Sequence, residues 1–497
     1  MRRAILATAL AVTMLSGCSM TPRDVRPVSA VSPSWPVGDA YLRRSEANLP
    51  VVSYAQVFRD ARLQRLIEQA LANNRDLRVA ATNIAAARAQ YRIQRADRLP
   101  QVDAGAGASY SDRSVETFNA DGTTSRRRSG AAAYSADVGV TAFELDLFGR
   151  VAALTEAERN RYFATEAAAR TVRLTLVGDI ADAWLTHAAD ASLLKIARDT
   201  AASAERSVRL TRARLQGGIA PRTDLRQAEQ ILSQAQSDLA EQTTALAQDA
   251  NALQLLVGAP IDPALLPTSI EQVSESVTAL PAGLDSQVLL RRPDVVEAEY
   301  TLRAANADIG AARAALFPRI TLTGLLGFAS NALGSLFSGG AFAWNAGASV
   351  NYPIFRAGAG IAGVEFSQAQ RDAALASYER TIQVAFREVS DALARYGTID
   401  RQLGATRNLA AAAADTYRLT DARYRGGLDS FLASLDAQRS LYAAQRTLVG
   451  TQLIAASNRV SLYRALGGDA TLTAGESGPA QAVEGRPAEG PLPPLAR

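Results

Sequence analysis

Arg214-Leu215-Gln216-Gly217-Gly218 returns in the second half of the chain as Arg423-Tyr424-Arg425-Gly426-Gly427. Downstream, Leu256-Val257-Gly258 is answered by Ala465-Leu466-Gly467, and the interval from Gly217 to Gly258 equals that from Gly426 to Gly467. Upstream, Leu145-Asp146-Leu147-Phe148-Gly149-Arg150 resembles Tyr352-Pro353-Ile354-Phe355-Arg356-Ala357. Further upstream, Leu99-Pro100-Gln101-Val102 parallels Phe317-Pro318-Arg319-Ile320, and Asp76 to Pro100 is as long as Asp294 to Pro318. Landmarks in one order at equal intervals mark a domain-sized unit used twice. The period is too long for a solenoid.

Inside each unit the pattern changes from helix to strand and back. In the first, Val102, Ala104, Ala106, Ala108 and Tyr110 alternate with Gln101, Asp103, Gly105, Gly107 and Ser109. After a loop, Tyr134, Ala136, Val138, Val140 and Ala142 alternate with Ser135, Asp137, Gly139 and Thr141. In the second, Ile320, Leu322, Leu326 and Phe328 run against Thr321 and Thr323. Phe342, Trp344, Ala346, Ala348, Val350 and Tyr352 then alternate with Asn345, Gly347, Ser349 and Asn351. A period of two gives each strand one apolar and one polar face. About ten residues per strand suits a tilted bilayer crossing. Expected strands are about 101–111, 133–143, 319–328 and 342–352.

The helices are long. Arg150 to Gln216 contains no proline and one glycine, Gly178. As one helix it would be roughly 100 Å long. Ala357 to Arg425 is its counterpart. Between Gly218 and Gly258 the leucines 225, 232, 239, 246 and 253 recur in heptads, with Ala228, Ala235, Gln242, Asp249 and Leu256 between them. That is a coiled-coil seam with some polar members. The glycine pairs sit where such helices must reverse, which calls for a residue tolerant of positive φ.

The chain opens with Arg2 and Arg3, an apolar run from Ala4 to Leu15, and Leu15-Ser16-Gly17-Cys18. This is a secretory leader of the lipoprotein type. Cys18 is the only cysteine, so no intrachain disulfide forms and its place predicts lipidation after cleavage. The formal net charge is +4, two of the positive charges lying in the leader, and this near-balance argues against nucleic acid as a partner. No run of 18 apolar residues follows the leader, so any membrane crossing falls to strands. The expected organisation is a leader at 1–17, a lipidated extended segment at 18–52, and repeat one at 53–258. A linker at 259–285, repeat two at 286–467 and a disordered tail at 468–497 complete it.

Enzyme chemistry finds little support. Gly358-Ala359-Gly360-Ile361-Ala362-Gly363 is a literal GxGxxG, but it follows an antiparallel hairpin and no parallel βαβ unit surrounds it. The only lysine, Lys195, follows Leu194 rather than a glycine, so there is no P-loop. His187, the sole histidine, has no second metal ligand at suitable spacing and reads as a core or interface residue. Trp35, Trp184 and Trp344 read as packing or interface residues, Trp344 fitting an aromatic girdle. No catalytic, cofactor or metal residues are expected.

Two hairpins supply four strands, too few to close a membrane barrel, and open edges in lipid leave backbone groups unsatisfied. Two chains would give eight strands and a filled interior, three would give twelve and a lumen. The ordered set of features resembles the TolC/OprM-type outer-membrane factors. Local matches are 143–150, Leu290-Arg291-Arg292-Pro293-Asp294-Val295, Tyr352-Pro353-Ile354-Phe355, and 423–427 through Ser434-Leu435-Asp436-Ala437-Gln438-Arg439-Ser440-Leu441. They cover about Ser53 to Gly468. The resemblance implies a mainly α chain with membrane β, assembled as a homotrimer with a twelve-stranded barrel continued by a periplasmic helical barrel. It implies an exit duct for small molecules in a tripartite efflux system, with a periplasmic adaptor, an inner-membrane resistance-nodulation-division transporter and outer-membrane lipid as partners. Ser19 rather than Asp after the cysteine resembles outer-membrane sorting. By the same resemblance Tyr424, Leu432, Asp436 and Arg439 are gate positions, and Gly217, Gly218, Gly426 and Gly427 are adaptor-contact tips. The alternative for Asp436 and Arg439 is local pairing of surface helix charges. Arg126, Arg127 and Arg128, in the loop between the first two strands, are either lipopolysaccharide contacts or a solvated charge run. A type I protein-secretion duct and a non-pore coiled-coil scaffold are the competing functions.

Overall fold

A computed structural model describes residues 20–23, 53–118, 122–278, 286–468, 474–475 and 478–479. The leader, Cys18, Trp35, most of the extended segment and most of the tail lie outside the described residues.

The elements repeat as the sequence does. Helices α1 (Ala61–Asn73) and α2 (Arg75–Ala96) precede strands β1 (Asp103–Phe118) and β2 (Thr124–Glu144). Then come α3 (Arg150–Gln216) and α4 (Arg222–Val257). The second copy runs α5 (Pro293–Ala314), β3 (Arg319–Ser330), β4 (Phe342–Asn351), α6 (Ala359–Arg425) and α7 (Phe431–Ala465). Helices α2 and α5 each hold 22 residues, and α3 and α6 each hold 67. Gly149, Gly218 and Gly258 have φ of 75°, 75° and 72°, and their counterparts Gly358, Gly427 and Gly467 have 85°, 75° and 82°. Helix ends are therefore placed by the same left-handed residues in both copies. No described helix is long and apolar enough to cross a membrane.

The chain divides into two compact units. The first contains residues 85–162 and 300–376 together with the start of the chain, and is built around an antiparallel sheet of order β1-β2-β3-β4. Val138, Leu326 and Trp344 stand abreast on one face, as do Ala136, Phe328 and Phe342. Asp137 and Gly327 share the other face. The apolar face is bare: Trp344 is 72% exposed. A register shift between Val140 and Phe143 puts Phe143 opposite Leu322. The extra residue reverses the alternation, so Phe143 rather than Ala142 continues the apolar row. Thr323 Oγ1 donates to Thr141 O at 2.9 Å across the irregularity.

The first hairpin is longer than the alternation suggests. Arg126, Arg127 and Arg128 do not occupy a loop; they belong to β2, opposite Glu116, Val115 and Ser114. The ladder continues because Val, Thr and Phe on β1 favour extended chain, and the backbone register runs on to Phe118 opposite Thr124.

The second unit, residues 28–84, 163–299 and 377–497, carries the larger apolar core. Trp184, Phe58, Tyr463, Leu66 and Ile67 are buried there. The linker packs on α3: Trp184 Nε1 donates to Leu265 O at 3.0 Å, and Ser192 Oγ accepts from the Ile270 amide at 3.0 Å. His187 is buried beside Pro267 and burial pushes its imidazole pKa down, which makes it a core histidine. Arg292 ties the second copy together. Its guanidinium donates to Ala465 O at the end of α7 (2.8 Å), to Asp294 (2.8 and 3.0 Å) and to Glu388 of α6 (2.9 Å). The GxGxxG stretch is a strand-to-helix junction: Gly358 has φ 85°, and a Cβ on Gly360 would stand 2.7 Å from Leu316 Cδ2.

Candidate functional site

The tips of the helix pairs hold the residues singled out from the sequence. In each tip the chain reverses through paired backbone hydrogen bonds. Ile219 N donates to Arg214 O (2.9 Å) and Gly218 N to Leu215 O (3.0 Å); Leu428 N donates to Arg423 O (2.9 Å) and Gly427 N to Tyr424 O (3.0 Å). This is the Schellman arrangement, and it needs left-handed backbone at one residue only. That residue is the second glycine of each pair, Gly218 and Gly427; Gly217 and Gly426 keep negative φ. All four glycines are exposed, and each turn is followed by an exposed apolar residue, Ile219 or Leu428.

Behind the turns lies a small apolar cluster of Val208, Leu225, Ala228, Tyr424, Phe431 and Leu435. Tyr424 belongs to it. Its ring meets Phe431 at 5.2 Å between centroids, and the Arg214 guanidinium lies over the ring, 4.4 Å from its centroid. Arg214 also donates to the carbonyls of Tyr424 and Arg425, each at 3.3 Å. One side chain of α3 thus caps the carboxyl end of α6, where partial negative charge collects. Nothing in the sequence around Arg214 pointed to this contact, because its partners belong to the other copy. Among the described residues the buried Tyr424 hydroxyl has no hydrogen-bond partner.

Leu432, Asp436 and Arg439 form a different surface. Their spacing puts them on one face of α7, and all three are exposed. Tyr424 is not on that face. The neighbouring charges are paired locally: Arg423 holds Asp429 at 2.7 and 2.9 Å, and Arg425 holds Asp421 at 2.7 Å. The Arg423 hydrogen bond holds the Asp429 carboxyl below its usual range. Asp436 and Arg439 have no ion-pair partner within the chain among the described residues. At the corresponding positions of the first copy stand Thr223, Gln227 and Gln230, which carry no charge.

Further along the helix pairs the seam is partly polar. Leu225, Ala228, Ala235, Gln242 and Leu253 are buried as the heptad requires. Asp238, off the leucine register, is buried too, accepting from Tyr442 Oη at 2.8 Å and Gln234 Nε2 at 2.8 Å. Burial and this bond push the Tyr442 hydroxyl up to about 12. Asp249 is raised to about 7 by burial and by Asp190 beside it. Among the described residues no His, Cys, Asp and Glu group has a metal-binding arrangement.

Comparison with known proteins gives one picture. The profile of the outer membrane efflux protein family matches residues 66–259 and 284–468. The antibiotic efflux pump outer membrane protein ArpC of Pseudomonas putida is 44% identical over 472 residues, covering 94% of this chain and 96% of that one. The toluene efflux pump outer membrane protein TtgC of the same species is 43% identical over 94% of this chain and 96% of its own length. The open state of the Neisseria gonorrhoeae MtrE outer membrane channel superposes with a TM-score of 0.79 at 33% identity, covering 91% of this chain and 99% of that chain.

Proposed function

Because the chain belongs to the outer membrane efflux protein family, and is an outer-membrane efflux channel rather than an enzyme, we propose that it forms the gated exit duct of a tripartite pump for small toxic compounds. Three copies supply twelve strands to one barrel, and Cys18 carries the acyl chains that hold each copy in the outer membrane. A periplasmic adaptor docks at the exposed turns around Gly217, Gly218, Gly426 and Gly427, and a resistance-nodulation-division transporter of the inner membrane feeds it. Relatives named for toluene and antibiotic efflux support apolar organic cargo.

The observation that carries the gate is the exposed, unpaired trio Leu432, Asp436 and Arg439. On a threefold axis Asp436 becomes three facing carboxylates, which repel one another and attract cations. Arg439 from each copy offsets that repulsion and latches the closed form across subunits. Tyr424 acts behind this face, by keeping Phe431 and the start of α7 in place. Single-channel recording tests the reading: Asp436→Ala combined with Arg439→Ala raises conductance several-fold. Unchanged conductance removes these residues from the gate.

A further inference from the structure

Near its start the chain is held in a notch of α5. Asn306 Nδ2 donates to Pro22 O at 2.9 Å, and Arg313 Nη1 reaches Met20 O at 3.4 Å. Between them lies Gly310, buried under Thr21. A Cβ on Gly310 would stand 2.9 Å from both the amide nitrogen and Cα of Thr21, closer than real Cβ atoms come to backbone. Asn306 itself is only 5% exposed. Residues 306, 310 and 313 share one face of the helix by spacing.

The duplication shows that this glycine is not needed by the helix. Helix α2 has the same 22-residue length as α5. It carries Arg88, Arg92 and Arg95, all exposed, where α5 carries Asn306, Gly310 and Arg313. A glycine inside a helix costs about 1 kcal/mol relative to alanine. Only the copy that receives the start of the chain bears that cost, and it does so where the incoming backbone leaves no room for a side chain.

Met20 is two residues from Cys18. A trans chain advances at most about 3.6 Å per residue, so a hold on Met20 leaves little slack for the residue two places before it. Arg313, which holds Met20, is in the last turn of α5, just before β3 begins at Arg319. We propose that Asn306, Gly310 and Arg313 form a seat for the acylated N-terminus, fixing its lipid chains at the membrane rim where β3 enters the barrel. The seat rests on the reading of Cys18 as the lipid-bearing residue. It makes the anchor a fixed part of each subunit rather than a tether, so the acyl chains enter the bilayer beside a strand that must insert there.

The test uses the full-length chain, processed in cells and isolated from the outer membrane. Trypsin cleavage after Arg23 is timed, and the Cys18 peptide is read by mass spectrometry. In Gly310→Ala the notch is filled by a residue that favours helix, and cleavage is at least tenfold faster than in wild type. Asn306→Ala gives an intermediate, several-fold increase. Gly404→Ala, in a helix position with open space around it, leaves the rate unchanged. Equal rates in wild type, Gly310→Ala and Asn306→Ala, with an acylated Cys18 peptide, overturn the seat alone. A wild-type Cys18 peptide without acyl chains overturns the anchor reading and the seat with it.

Discussion

At the scale of single residues, buried charge is settled by its partners. Arg292 is 7% exposed and serves two carboxylates and a helix-end carbonyl at once. Arg292→Ala removes a partner from the part-exposed Asp294 and Glu388 and leaves the Ala465 carbonyl at the end of α7 without its donor, and we expect a loss of about 1–3 kcal/mol, measured by denaturant unfolding. Asp249 behaves oppositely. Its carboxyl is raised to about 7, so the protonated form is the one the folded state prefers. Its stabilising contribution is complete below the ordinary carboxylate pKa of about 4 and is lost as pH rises through about 7. Asp249→Asn should therefore raise the thermal midpoint at pH 8 and give no gain at pH 4; a gain of equal size at both sinks this account of Asp249. How much of this was legible differs by residue. The face shared by Leu432, Asp436 and Arg439 follows from helical spacing alone. The burial of Tyr424 under Arg214 does not, since it depends on how one copy's turn meets the other's. Gly178 stands out in the sequence as the lone glycine of α3, but its reason is three-dimensional: the Arg464 side chain, reaching for Asp179 and Asp182, fills the space of its missing Cβ.

At the scale of elements, punctuation was the most readable feature. The bounds of α3 fall where glycines flank a proline-free run, and α6 ends at the equivalent turn. Which glycine of each pair is indispensable was not readable, because both permit positive φ and only one uses it. Gly218→Ala or Gly427→Ala forces an alanine to φ near 75° and should cost about 1–2 kcal/mol per site, seen as faster amide exchange at Ile219 or Leu428. Gly217→Ala and Gly426→Ala meet only ordinary contacts and should leave exchange unchanged. Strand bounds were harder. Period-two alternation located the membrane-facing rows, but it could not foresee the shift after Val140, which is a matter of pairing rather than composition. Nor did it foresee that a polar, arginine-rich stretch prolongs the first hairpin.

At the scale of the whole molecule, the duplication predicts contacts between copies from contacts within one. Phe148 stacks on Phe317 at 4.8 Å with planes 20° apart, joining the end of the first hairpin to the start of the second. The equivalent residues, Phe355 and Leu99, are 87% and 67% exposed in the single chain. If β4 of one subunit pairs with β1 of the next as β2 pairs with β3, these two meet across the boundary. Leu99→Cys with Phe355→Cys should yield an oxidation-dependent trimer ladder on gels, and monomer alone would refute the arrangement. The bare sheet carries a further implication, for the life of the molecule before it assembles. A freshly exported copy presents unpaired strand edges and a wall of aromatic side chains to an aqueous compartment, the conditions under which chains clump. If three copies share one barrel as proposed, cells making this protein must either escort each newborn copy or bring its companions to it faster than stray copies find one another. Overproduction without matching escort capacity should trip envelope-stress signalling before it yields a single additional pore.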